Sequence, residues 1–269
     1  MPPTVRAISI AVVVVLGLGV QIYGQAPRPA PTPAGTGTIK GHVRLTGSSP
    51  ANPVIRMGVD PVCAAMNRAA PTLQQFVVKS ADGGLANSFV RLDGTFPRAP
   101  VPPQPVTITQ QNCVYGPRIV AARVGQTLMV VNRDMTLHNI QSITTKGNTF
   151  NVTQPKVGMV FSYVLKAAEI FRLKCDVHPW MTGYVGVVDH PYFAMTAADG
   201  SFTIERVPAG RRTIHVWHEG FGDTTRTVVV KAGEVVTADF TYTGAPRKSA
   251  EVRDVVVPES MLAHGHIPE

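Results

Sequence analysis

The chain has 269 residues, 44% hydrophobic and 16% charged, with a formal charge of +8. That is a globular composition, long enough for one large or two small cores. The Lys and Arg residues are scattered, and no basic run alternates with stacking aromatics, so the charge describes a generally basic surface and argues against nucleic-acid binding.

At the N-terminus Arg6 precedes an apolar run from Ala7 to Val20. The run is too short to span a bilayer comfortably and reads as an export signal over residues 1–26, with small residues at Gly24 and Ala26 as cleavage points. An uncleaved tether is the alternative. The mature chain is expected in the periplasm or secreted, with no stable membrane insertion. Residues 27–37 form a Pro-rich linker.

Next, Thr38 to Leu45 alternates with period two, as a half-buried strand does. Residues 51–73 are irregular and contain Cys63, with a short helical turn expected at 64–69. Strands are expected at 75–79 and 86–92, then at 106–110, 119–124 and 127–132, the last delivering the chain to His138. Residues 159–165 and 169–174 read as a hairpin-like pair ending at Cys175. Beyond Val188, turn signals at Asp199-Gly200 and Pro208-Ala-Gly210 separate further strands, and residues 246–269 read as a loose tail. The 24 Gly and 23 Pro punctuating Val-, Ile- and Thr-rich runs make the fold all-β. In an oxidising compartment Cys63 and Cys113 are most simply a disulfide, with two unlinked thiols as the alternative.

The chemistry concentrates in Cys175-Asp-Val-His178-Pro-Trp-Met181, where thiolate, imidazole and thioether donors share one tight loop. A lone Cys is more often a small buried hydrophobe and a lone Met core filler. The spacing changes that, because His138 would complete a His₂Cys set with a weak axial Met, the donor set of an electron-transfer copper site. Zinc would more usually recruit further Cys or His. Pro179 stiffens the loop, and Asn139 is placed to pin the ligand loops by hydrogen bonding.

Asn132-Arg-Asp-Met-Thr-Leu-His138-Asn139 together with Cys175-Asp-Val-His178-Pro-Trp-Met181 resembles the cupredoxins, especially the amicyanin and plastocyanin branch. The resemblance covers about residues 105–190. It implies a Greek-key β-sandwich holding one type 1 copper, with His138, Cys175 and His178 as strong ligands and Met181 axial. It also implies that His178, framed by Pro179 and Trp180, is the electron port, its ring edge approaching solvent through an apolar patch. The chain is longer than a simple cupredoxin, and Asp176 puts a carboxylate beside the ligand Cys. A two-copper bridged centre would need a second Cys on this loop.

Gly41-His-Val-Arg-Leu, residues 85–94 and residues 196–210 resemble the carboxypeptidase regulatory-like (transthyretin-like) β-sandwich. The expected organisation is therefore a regulatory-like sandwich over 38–95 and 191–245, with a cupredoxin domain inserted at 96–190. A tandem arrangement is the simpler alternative. His190, His215 and His218 could form a second polar or metal cluster, but read first as ordinary hydrogen-bonded residues. His264 and His266 in the tail could bind metal adventitiously.

The leading functional reading is an exported, non-enzymatic blue copper protein that passes single electrons to or from a protein partner, a cytochrome or exported oxidoreductase. The alternative is a copper carrier or chaperone without a redox role. Copper oxidases need further copper sites, and the only His-x-His pair is His264-Gly-His266.

Overall fold

The computed structural model describes residues 35–69 and 74–244. After β1 (Thr36–Thr46) come a short helix, α1 (Pro61–Met66), and β2 (Phe89–Leu92). A central series follows: β3 (Val106–Gln111), β4 (Val114–Gly116), β5 (Ile119–Arg123), β6 (Thr127–Asn132), β7 (His138–Ile143), β8 (Asn151–Gln154), β9 (Val160–Val164), β10 (Ile170–Lys174) and β11 (Thr182–Val188). The series ends in β12 (Phe193–Met195), β13 (Ser201–Pro208), β14 (Gly210–His218), β15 (Gly222–Val230), β16 (Val235–Thr237) and β17 (Phe240–Thr243).

The central strands make two sheets, β5-β11-β10-β7-β8 and β4-β3-β6-β9. Each strand turns alternate residues inward, and the inward sets of the two sheets meet. Ile108, Leu128 and Val130 share a core with Ile140, Leu173 and Val185. The outer strands make a second sandwich. β1 lies between β13 and β16 and also pairs with β17, facing the sheet β12-β2-β14-β15 across Ile39, Val43, Val90, Leu92, Ile204 and Val216. Among the described strands, β1 and β2 pair only with strands beyond residue 190, so the central strands lie in chain order between strands of the outer sandwich.

Two expectations are corrected. β9 and β10 do not form a hairpin, because β9 pairs with β6 and β10 with β7 and β11. Their alternating apolar faces are needed in different sheets, so the turn between them crosses the sandwich. The strand expected at 75–79 is reduced to a single bridge, Lys79 with Leu85.

The two sandwiches meet over Phe89, Ile119 and Val188, with Tyr184 and Trp217 edge to face at 5.2 Å between ring centroids. Gly186 makes the close approach possible, since a Cβ there would lie 2.7 Å from the Phe89 ring. Arg118 reaches across to Glu219 through two bonds of 2.8 Å, Nε to Oε1 and Nη2 to Oε2.

His218 is buried at the end of β14. Its Nδ1 accepts from the Gly220 amide at 3.1 Å, while Nε2 has no partner among the described residues. Burial, reinforced by the Arg118 charge, pushes its pKa from 6.5 down to about 4. The unfolded chain therefore binds this proton and the native chain does not, so stability falls as pH drops from 6.5 towards 4, by roughly 3 kcal/mol. Denaturant titrations across that range should show the loss in the parent and a shallower slope in His218→Phe. Identical slopes would remove His218 as its source.

Candidate metal centre

Two ligand segments converge because their strands are neighbours. β7 pairs antiparallel with β10, with Gln141 opposite Lys174, and Lys174 is also opposite Thr182 of β11. His138, which opens β7, and Cys175, which follows β10, are thereby brought to the same end of one sheet. The loop before His138 is shaped by Asn132, whose Oδ1 accepts from the Asp134 amide at 2.8 Å and whose Nδ2 donates to Thr136 O at 3.0 Å. The loop after Cys175 is closed by Met181 N donating to His178 O at 2.9 Å and Cys175 N donating to Met181 O at 3.3 Å.

His138, Cys175, His178 and Met181 are all buried. His138 Nδ1 lies 3.0 Å from His178 Nδ1, which lies 3.8 Å from Cys175 Sγ; the ligand atoms of the three residues all fall within 4.8 Å of one another. Sγ accepts from the amides of Asn139 at 3.3 Å and His178 at 3.4 Å. Burial would raise the thiol pKa, but both histidines and these amides outweigh it and bring it down to about 6. The site is therefore prepared for a thiolate at neutral pH.

Each ring nitrogen remote from the site meets a carboxylate. His138 Nε2 is 2.8 Å from Asp134 Oδ2, and His178 Nε2 is 2.9 Å from Asp60 Oδ2. Burial would raise both carboxyl pKa values, yet hydrogen bonds from the histidines and from backbone amides hold them below the usual range. An ionised carboxylate only accepts, so both Nε2 atoms carry hydrogen and both Nδ1 lone pairs point inward. Two lone pairs 3.0 Å apart beside a thiolate call for a cation between them. A proton answers in part, since His138 is raised above its ordinary pKa: burial opposes this, but Asp134 and Cys175 prevail. A soft metal ion answers fully, and the donor set fits copper.

Asp134 also accepts from the amides of Asn112 and Cys113, both at 2.8 Å, holding a two-residue turn of positive φ between β3 and β4. Cys113 in that turn is bonded to Cys63 of α1, with Cα atoms 5.7 Å apart.

Asn139 occupies the expected pinning position: its Oδ1 accepts from Asp176 N at 3.3 Å and its Nδ2 donates to Asn151 at 2.6 Å. Pro179 is exposed on the loop. The expectation that the His178 ring edge meets solvent is overturned. His178 is 0% exposed and Trp180 is buried, its Nε1 donating to Cys113 O at 2.8 Å. The physical reason is the segment around α1, which lies over the ring and supplies Asp60. Asp60 and Asp134 were not singled out from sequence. Asp134, four residues before His138, was open to that reading; the Asp60-Pro61 pair signals a helix start and nothing about His178.

The other histidines stay apart. His190 Nε2 is 3.0 Å from Leu92 O, and His215 lies between Asp93 and Asp223, at 3.3 and 2.6 Å. Glu219 is taken by Arg118. The export signal, His264 and His266 lie outside the described residues. Among the described residues, no helix is long and apolar enough to cross a membrane.

No curated protein matches the chain. Among solved structures it is similar to a purple cupredoxin from Nitrosopumilus maritimus, at 29% identity over 30% of this chain and 98% of that one, with a TM-score of 0.27. The oxidised state of a mutant amicyanin aligns at 22% identity over 31% of this chain and 82% of its own, with a TM-score of 0.29. The copper-containing nitrite reductase of Thermus scotoductus aligns at 21% over 36% of this chain and 25% of its own, with a TM-score of 0.29. The described residues form an all-β protein whose segment 185–243 matches the carboxypeptidase regulatory-like domain family.

Proposed function

We propose that this is an exported, non-enzymatic type 1 copper protein that relays single electrons for a protein redox partner. The observation that carries the reading is the convergence of two inward Nδ1 lone pairs and the Cys175 thiolate within 4.8 Å, in a buried pocket on the loop that also carries Met181. Bound there, copper would supply a one-electron couple, and a ligand set compromised between its two states needs little rearrangement. Cys175 gives the thiolate, His138 and His178 the imidazoles and Met181 the weak axial thioether. The strands beneath hold these groups in place, and burial excludes water.

The ligand loops leave Met135 (83% exposed), Val177 (43%) and Leu137 (37%) as an apolar rim suited to a brief contact with a cytochrome or exported oxidoreductase. Burial of the site beneath α1 gives the carrier reading its support, since a closed pocket retains its ion.

The test is to add Cu(II) to the folded chain and record optical and EPR spectra beside Cys175→Ser. An intense thiolate-to-copper band that bleaches and returns on reduction and reoxidation, absent from the variant, is the expected result. A colourless complex in both would remove the electron-transfer reading and favour a carrier.

A further inference from the structure

The segment 57–67 precedes β2 in the chain, yet it packs on the central sandwich. Met57 and Cys63 belong to the same core as Cys175, Trp180 and Met181. Two ties hold it beyond Asp60: Asn67 Nδ2 donates to Asn112 O at 3.1 Å, and the Cys63–Cys113 disulfide joins α1 to the β3–β4 turn. Ahead of both, Asp60 divides its carboxylate. Oδ1 accepts from the amides of Val62 and Cys63, at 2.8 and 3.0 Å, capping α1. Oδ2 is left to meet His178 Nε2 at 2.9 Å, with Thr136 Oγ1 a further 3.5 Å contact.

We propose that Asp60 is a positioning residue of the metal centre, carried on a strap latched by Cys63–Cys113, that turns His178 Nδ1 towards the site and closes the Nε2 edge of the ring to solvent and partners. For its metal-bound consequences this rests on the copper reading above. A carboxylate on the remote nitrogen fixes tautomer and ring orientation and raises ligand basicity. The route for an electron then runs through the strap or the ligand loops instead of across a bare imidazole edge.

The test separates the two bonds of Asp60 in the full chain. Asp60→Ser keeps an N-cap side chain but is too short to reach His178, whereas Asp60→Asn keeps one acceptor oxygen for the cap and turns a neutral NH₂ donor towards His178 Nε2. In metal-free ¹⁵N-labelled protein, long-range proton–nitrogen spectra should show His178 as a single Nε2–H tautomer in the parent and lose that tautomer in Asp60→Asn, where Nε2 can pair with the amide only by accepting. Asp60→Ser should show both nitrogens in exchange. Competition titrations with Cu(II) should weaken by about 10- to 100-fold in Asp60→Ser, and the reduction potential should rise in Asp60→Asn, because a neutral amide favours the dication less. A fixed Nε2–H tautomer in Asp60→Ser would overturn the proposal, as would an unchanged potential in Asp60→Asn. If no variant nor the parent holds copper, the copper reading fails while the tautomer spectra still decide the role of Asp60.

Discussion

Replacing Cys63 and Cys113 together with alanine is expected to lower the unfolding free energy by about 4 kcal/mol, from the chain entropy that a bridge across a separation of 50 residues removes from the unfolded state. The loss should be read as a shift in denaturant midpoint. The effect should not stop at stability. The bridge links α1 to the turn whose amides are held by Asp134, and Asp134 in turn holds His138. The double variant should therefore also release the strap over His178, seen as faster amide exchange at Val62 and at position 63. Full retention of both midpoint and protection would mean that the packing of Met57 and the hydrogen bonds of Asp60 and Asn67 secure the segment without the bridge.

Glu219→Ala should be nearly as damaging, at about 3–5 kcal/mol. The Arg118 and Glu219 side chains are only 12% and 4% exposed, so the variant strands a guanidinium at the junction of the two sandwiches. Gln74 Oε1 accepts from Arg118 Nη1 at 2.5 Å but brings no charge to replace the carboxylate. The paired replacement Arg118→Met with Glu219→Leu should recover most of the stability, since the cost lies in the unpaired charge. Equal losses in the single and double variants would instead point to lost side-chain packing.

Residues 171–188 were legible as strand, ligand loop and strand because period-two alternation and a Cys-x₂-His-x₂-Met spacing are local properties. Asn132 and His138 were legible for the same reason. The hairpin expected at 159–174 failed because alternation says which residues face inward but not which sheet receives the strand. The exposed His178 edge failed because its cover comes from residue 60, 118 positions away, in a segment with almost no periodic pattern.

The sequence by itself therefore determined the all-β class, the donor types and the loop that presents three of them, since each follows from residue chemistry over a few positions. Only the tertiary structure decided that β1 closes against β13, β16 and β17, with the central strands between them in chain order. It also decided that the rings of His138 and His178 are braced by Asp134 and Asp60. Those contacts depend on which distant segments share a core, and burial makes a hydrogen bond to a carboxylate selective only once water has been excluded.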